Sequence, residues 1–167
     1  ISEMGRFCPV WRYIYRRDFL DTNHIYSPEI NMGEDVPYAF KALLLAKKIL
    51  LVNEVYYHYR INPASLTGIS TLKPIVLYEK CFVAARLVYD VMQYIPKQYV
   101  GLIKAFRNMV LYIVQMYPDY VAKMSEADKK IFSRLCRKHL VDDWCLWNLM
   151  GRSYKIEYIK FLLNSYF

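Results

Sequence analysis

The stretch INMGEDVPYAFKALLLAKK, residues 30–48, carries the clearest helix signal in the chain. Acids stand at its N-cap, Pro37 falls in the first turn, where its missing N–H does no harm, and two lysines occupy the expected last turn. Phe40 and the leucines that follow it share one apolar face. The stretch therefore predicts an amphipathic helix that opens with the adjacent acids Glu34 and Asp35.

This acid pair has two interpretations. An acid at a helix N-terminus is stabilised by the helix dipole and by free backbone N–H groups, so Glu34 and Asp35 can be a simple cap. A carboxylate kept ionised in this way can also accept a proton, although the same stabilisation weakens it as a base. One residue can serve both purposes, and the stretch alone leaves both interpretations open.

Composition indicates one folded domain. The 167 residues suffice for a real core, and 56% are hydrophobic and 17% aromatic, which argues against disorder. No apolar run approaches the roughly 20 residues of a membrane span. The best candidate, VGLIKAFRNMVLYIVQMY, is interrupted by Lys104 and Arg107. It predicts a buried or surface-lying helix.

The cysteines favour a reducing compartment. Four cysteines are scattered without a C-x-x-C pair, and His139 near Cys136 lacks the further ligands that zinc needs. The pattern is typical of reduced thiols in a cytosolic protein, so we predict a cytoplasmic location. The sequence starts at Ile1 without a leader-like segment, and we expect it to be a piece of a longer protein.

The chain changes character near residue 70. Before that point, KILLVNEVYYHYRI (residues 48–61) is rich in β-branched and aromatic residues and predicts one or two strands. After it, helical periodicity dominates. The expected fold is α+β and mostly helical, with a few short strands in residues 1–70 and a helical bundle in residues 71–167. The candidate helices of the bundle are residues 75–94, 98–117, 126–140 and 153–166.

The net charge of +8 is concentrated in the second part. Residues 1–70 hold 8 Lys and Arg against 7 Asp and Glu, whereas residues 71–167 hold 15 against 8. Such a balance suits an anionic lipid surface or nucleic acid, and it is also common on plain surface helices. The densest basic cluster lies in one candidate helix and comprises Lys129, Lys130, Arg134, Arg137 and Lys138.

Five features of residues 7–67 follow one another in a specific order. VWRYIYRRDFL precedes GEDVPYAF, the predicted helix ends in AKKI, and the aromatic segment VYYHYR leads to NPASLT. This order resembles the C-terminal half of bacterial family 2 glycosyltransferases, which are inverting enzymes of the GT-A fold. The resemblance covers about 60 residues. It implies that residues 1–70 are the acceptor-side fragment of a GT-A α/β catalytic domain and that residues 71–167 are a helical extension.

The resemblance also assigns site residues. Asp35 matches the position of the catalytic base, and Glu34 would orient the site or bind the acceptor. Trp11 would form an acceptor wall, Arg60 would contact the diphosphate, and Ser65 would lie in a loop over the site. Two of these have a structural alternative: Trp11 as a core residue, and Arg60 as a surface arginine packed on tyrosines. Arg16 and Arg17 form a solvated face or pair with Asp18, or else they contact an anionic lipid-diphosphate acceptor.

The resemblance further implies partners that act in cell-surface polysaccharide synthesis. The donor is a nucleotide sugar, and the acceptor is a saccharide or a polyprenyl-linked sugar. A divalent metal, Mg²⁺ or Mn²⁺, would be held by an Asp-x-Asp motif that lies outside this sequence, so the fragment alone is expected to be inactive. The basic tail would attach peripherally to the anionic inner membrane, and we expect no nucleic-acid partner. The alternatives are a basic nucleic-acid-binding module and a protein-binding module without catalysis.

Overall fold

The computed structural model describes residues 9–60, 62, 65 and 72–164. Within them the regular structure is helical: nine α-helices, short 3₁₀ turns at Val10–Arg12 and Met92–Tyr94, and a π-helical turn at Glu79–Val83. The α-helices are α1 Arg17–Thr22, α2 Asp35–Leu45, α3 Pro74–Tyr78, α4 Ala84–Val91, α5 Val100–Val114, α6 Tyr117–Val121, α7 Glu126–Lys138, α8 Trp144–Leu149 and α9 Arg152–Asn164.

The prediction for α2 is confirmed. The helix begins at Asp35, has Pro37 in its first turn, and buries Pro37, Ala39, Phe40 and Ala42. It ends earlier than expected, because Ala46 is already extended (φ −67°, ψ 121°). The lysines predicted for its last turn therefore lie beyond its end and are exposed.

The predicted strands are wrong. Residues 48–60 run as irregular chain in which every residue is exposed, and no strand occurs among the described residues. Leu50 is 85% and Leu51 90% exposed. A strand needs a neighbour to pair its backbone N–H and C=O groups, and no other described segment supplies one. The expectation of an α+β fold, with a GT-A α/β fragment in residues 1–70, is thus contradicted by the helical structure of the described residues.

The helical bundle is confirmed, with differences in detail. The predicted helix 75–94 is observed as α3, the π turn, α4 and a final 3₁₀ turn in direct succession. Pro118, expected to separate two helices, lies in the first turn of the short helix α6. Helix α8 was not expected. No described helix is both long enough and apolar enough to cross a membrane.

Phe82, on the π turn, is the centre of an aromatic core. It is fully buried, and its ring centroid lies 5.5 Å from that of Tyr78, 5.7 Å from Tyr158 and 5.8 Å from Tyr117. The core contains free cysteines at positions 81 and 136, with a partly buried one at 145. Most of the aromatic residues of this part of the chain therefore stabilise the bundle itself.

Helix α2 belongs to the same core. It packs against α4, and the ring centroids of Phe40 on α2 and Phe106 on α5 are 4.8 Å apart. Met32, in the loop before α2, is also part of this cluster. The bundle thereby fixes the position of the α2 N-terminus, where the two acids lie.

Candidate functional site

An open cleft of about 460 Å³ lies beside the N-terminus of α2. Its walls come from α1, from the chain between α1 and α2, and from the first turn of α2. Ile25, only 2% exposed, anchors the chain between the two helices and lines the cleft. The cleft is also lined by Val10, Arg17, Asp21, Tyr26, Asp35 and Tyr38.

Gly33 sets the direction in which the chain enters α2. Its φ of +88° lies in the left-handed region that favours glycine. A Cβ added there would lie 3.2 Å from the Cβ of Ala84 and 3.7 Å from the Cα of Lys80. The turn before the acids is thus pressed against the π turn and the start of α4, and only glycine fits without displacement.

A second contact fixes the same loop. Both the backbone N–H and the side-chain amide of Asn31 donate to one carboxylate oxygen of Glu79, over 2.9 and 2.7 Å. Glu79 lies on the π turn, 48 positions along the chain. Charge-assisted bonds of this kind are stronger than neutral ones. The helical bundle therefore holds the loop that presents Glu34 and Asp35.

Asp35 lines the cleft and is half-buried. Burial raises the pKa of its carboxyl above the ordinary value, and the neighbouring charge of Glu34 raises the pKa further. Hydrogen bonds from the backbone N–H groups of Asp35 and Val36 act in the opposite direction but do not cancel the effect. Asp35 is therefore a stronger base than an ordinary first-turn aspartate.

Glu34 contributes a charge to the site without capping the helix. It occupies the N-cap position of α2 with αR backbone angles, and its side chain makes no capping hydrogen bond. It does not line the cleft. Its electrostatic effect on the pKa of Asp35 is the clearest interaction that links it to the site.

Three other predicted residues lie apart from the cleft lining. Trp11 is 40% exposed and stacks on Tyr57, with 5.0 Å between ring centroids, and it also contacts Tyr59 at 5.4 Å. It belongs to neither the core nor the cleft wall, although its neighbour Val10 lines the cleft. Arg60 is exposed, and Ser65 is partly buried and donates its backbone N–H to Asn62.

The structure places Arg17 at the cleft and adds Asp21, Tyr26 and Tyr38, which the sequence did not assign to the site. Arg17 lines the cleft with Asp21, and these exposed side chains form an ion pair at 3.7 Å. Tyr26 and Tyr38 supply aromatic surface to the same cleft. Tyr38 follows Asp35 by three positions on one helix, a spacing that places both on one face. Arg16 pairs with Asp18 at 2.6 Å, which confirms for Arg16 the predicted pairing with Asp18.

The acid pair Asp142–Asp143 serves the bundle. Asp143 is buried, forms an ion pair with Arg86 at 3.0 Å, and accepts a hydrogen bond from the hydroxyl of Tyr78 at 3.0 Å. Burial raises the pKa of Asp143 to about 6, although Arg86 and Tyr78 lower it. Asp142 pairs with His139 at 2.8 Å. Across the part of the chain that the structure describes, no three His, Cys, Asp or Glu side chains converge as a metal site.

The basic cluster predicted on α7 divides into two groups. Lys129 pairs with Glu126 at 2.6 Å, and Arg137 donates to the carbonyl of Leu162 at 2.7 Å. The remaining three residues are exposed and recur every four positions, so they form one stripe along the outer face of the helix. This basic stripe consists of Lys130, Arg134 and Lys138.

Comparison with known proteins gives one partial match. Over 61 residues the chain is 39% identical to "Uncharacterized glycosyltransferase EpsJ" from Bacillus subtilis (strain 168). The likeness is to a glycosyltransferase. It covers 36% of this chain, and this chain spans 18% of the relative's length. No family model matches the chain, and no solved structure matches it significantly. The match supports a glycosyltransferase relationship and says nothing about donor, acceptor or site residues.

Proposed function

We propose that this chain forms the acceptor side of an inverting glycosyltransferase of the family 2 type, with Asp35 as the general base. The observation that carries the proposal is the position of Asp35: the residue is half-buried and lines an open cleft of about 460 Å³, and its carboxyl has a raised pKa. A helix cap alone needs neither the cleft nor the raised pKa. The partial likeness to a glycosyltransferase supports the reaction class.

In the proposed reaction, a hydroxyl of the acceptor saccharide attacks the anomeric carbon of a nucleotide sugar. A carbon–oxygen bond forms on one face of the sugar while the bond to the nucleoside diphosphate breaks on the other. Asp35 accepts the proton of the attacking hydroxyl. General-base assistance of this kind contributes about 10²- to 10⁴-fold to a rate, and a base with a raised pKa accepts the proton more readily.

The other lining residues suit an acceptor. The C–H faces of a sugar ring pack on aromatic surface, which Tyr26 and Tyr38 offer. The Arg17 guanidinium lies at the same cleft and is ion-paired with Asp21 at 3.7 Å, so the phosphate of a lipid-diphosphate acceptor would replace Asp21 as its partner. We propose that residues outside this sequence bind the donor, together with the Mg²⁺ or Mn²⁺ that neutralises its diphosphate.

The proposal is tested with Asp35→Asn in the complete gene product. Release of nucleoside diphosphate from a panel of UDP-sugars is measured with and without a saccharide acceptor. The variant should lose about 10²-fold or more of acceptor-dependent release while donor binding is unchanged. Glu29→Gln is the control, because Glu29 is an exposed acid outside the cleft lining; its rate should stay within about threefold. Wild-type transfer by Asp35→Asn would remove the proposed base.

We also propose that the basic stripe of α7 contacts an anionic membrane surface. Its three cations face outward, and each cation near such a surface contributes about 1 kcal/mol. Reversal to K130E/R134E/K138E should abolish sedimentation with phosphatidylglycerol vesicles, whereas K129E, which removes a paired lysine of the same helix, should change it little. Wild-type protein that binds single-stranded oligonucleotides but not these vesicles would contradict the proposal.

A further inference from the structure

A second cavity adjoins the cleft, between α2 and the bundle. Its volume is about 190 Å³, smaller than most sites for drug-sized ligands. One wall comes from the region before and within α2, and the other from the end of α4 and the 3₁₀ turn after it. We call it the α2–α4 pocket. The lining residues that matter here are Tyr26, Tyr38, Lys41, Asp90, Gln93 and Tyr94.

We propose that the α2–α4 pocket binds the second sugar ring of a saccharide acceptor whose reacting ring lies in the cleft beside Asp35. The inference rests on the proposed function, since it assumes that the cleft receives the reacting sugar. It adds the class of acceptor, a neutral oligosaccharide end with at least two rings, and it gives part of the helical extension a role in choosing the acceptor.

The two cavities are neighbours along α2. Tyr26 and Tyr38 line both of them. Asp35, Tyr38 and Lys41 follow one another at intervals of three positions on the same helix. With a rise of 1.5 Å per residue, Lys41 lies about 9 Å along the axis from Asp35. A second ring that is linked directly to the reacting one can span this distance.

The lining of the pocket suits a carbohydrate. Tyr26 is 63% and Tyr94 44% exposed, so both offer aromatic surface on which the C–H face of a sugar ring can pack. The amide of Gln93 and the carboxylate of Asp90 lie at the same pocket and can bond ring hydroxyls. A lining of aromatic surface with a small number of polar groups is typical of small-molecule sites.

The charges of the pocket favour a neutral ligand. Lys41 and Asp90 carry opposite charges at the same cavity, so neither a phosphate nor a cation finds an unopposed charge there. The ammonium of Lys41 is already committed, because it donates to the carbonyl of His24 at 2.8 Å and lies 5.5 Å from the ring centroid of Tyr94. An anionic ligand would have to compete with these contacts.

The hydrogen bond from Lys41 to the carbonyl of His24 also stabilises the wall of the pocket that carries Tyr26. His24 has a φ of +50°, a left-handed conformation that is uncommon for residues other than glycine. This turn reverses the chain after α1 and leads through the buried Ile25 to Tyr26. Lys41 bonds the carbonyl of the turn, and this contact links α2 to the segment that carries Tyr26.

The test measures saccharide binding by the complete gene product with saturation-transfer NMR. The probes are two pairs, each of a monosaccharide and the matching disaccharide: methyl β-glucoside with cellobiose, and N-acetylglucosamine with chitobiose. At least one disaccharide should bind about tenfold tighter than its monosaccharide. Tyr94→Ala should remove this preference and leave monosaccharide affinity within about twofold. Tyr99→Ala should keep the preference, since Tyr99 is similarly exposed (55%) and lines neither cavity.

Three results would overturn the inference: equal affinity for mono- and disaccharides throughout the panel, an unchanged preference in Tyr94→Ala, or displacement of the bound disaccharide by inorganic phosphate. Gln93→Ala provides a second variant with an exposed side chain, and it should also weaken disaccharide binding. Asp35→Asn separates the two proposals. If Asp35→Asn retains both transfer and the disaccharide preference, Asp35 is not the base, while the proposed role of the α2–α4 pocket is retained. If Asp35→Asn loses transfer while Tyr94→Ala keeps the disaccharide preference, the proposed role of the pocket is wrong.

Discussion

Replacement of Gly33 by alanine tests how the bundle positions the acid pair. At a φ of +88° the new side chain forces an unfavourable left-handed conformation, which costs about 1–2 kcal/mol. The new Cβ would also lie 3.2 Å from the Cβ of Ala84, with backbone atoms of Lys80 at 3.7 and 3.8 Å. Crowding against fixed neighbours adds about 1 kcal/mol. The free energy of unfolding should therefore fall by about 2–3 kcal/mol.

Urea and thermal unfolding followed by circular dichroism measure this change. For a chain of this length the loss corresponds to a Tm lower by about 5–10 °C. The matched control is Gly101→Ala, because Gly101 lies in α5 and an added Cβ there meets nothing within 4 Å. This control should be neutral or stabilise by up to about 1 kcal/mol. A Gly33→Ala variant that unfolds like the wild type would refute the positioning argument.

The same reasoning gives three further predictions. Glu79→Ala removes both hydrogen bonds from Asn31 and should lower the free energy of unfolding by about 1–2 kcal/mol in urea titrations. A change within error would show that these hydrogen bonds are not needed to hold the loop before α2. Phe40→Ala should cost about 3–5 kcal/mol, because the ring is 5% exposed in the core, and a cost below 1 kcal/mol would contradict its role between α2 and the bundle. Arg86→Leu removes the cation that lowers the pKa of Asp143, so the folded variant keeps this proton to higher pH than the folded wild type, whose Asp143 has a pKa of about 6. The unfolded states titrate alike, so the stability deficit of the variant should be nearly constant below about pH 5 and should grow as the pH rises through about 6. A deficit independent of pH would count against the ion pair.

Local patterns predicted the helices well. Helix α2 could be predicted because its start depends on adjacent residues: Pro37 in the first turn and an apolar face that includes Phe40. The end of α2 was placed too late, since lysines suit both a last turn and the solvated chain beyond it. Helix α8, with six residues, is too short for periodicity to distinguish it from a turn.

The strand prediction failed because strand formation is not a local property. The β-branched and aromatic residues of segment 48–60 have strand propensity, but propensity is expressed only where a neighbouring strand pairs the backbone. No described segment does so, and the residues remain exposed. The pairing of Trp11 with Tyr57 and Tyr59 is likewise a contact between distant segments, which no spacing rule predicts.

The site was predicted in part for the same reason. The acid pair carries a local signal, and the structure places Asp35 at a cleft; its catalytic role stays a prediction. Tyr26 and Tyr38 belong to different segments of the chain, and only the fold brings both of them to the cleft. The raised pKa of Asp35 arises chiefly from burial, which the sequence alone could not supply.

We propose that Asp35 acts as a base whose pKa its surroundings raise. The most direct test is the pH dependence of kcat/KM for transfer, whose acidic limb reports the pKa of the base in the free enzyme. The charge of Glu34 raises the pKa of Asp35, so Glu34→Gln should move the acidic limb to lower pH, whereas Glu29→Gln, at an exposed acid outside the cleft lining, should leave it in place. An acidic limb that stays unchanged in Glu34→Gln, or that moves to higher pH, would show that the titrating base is not Asp35.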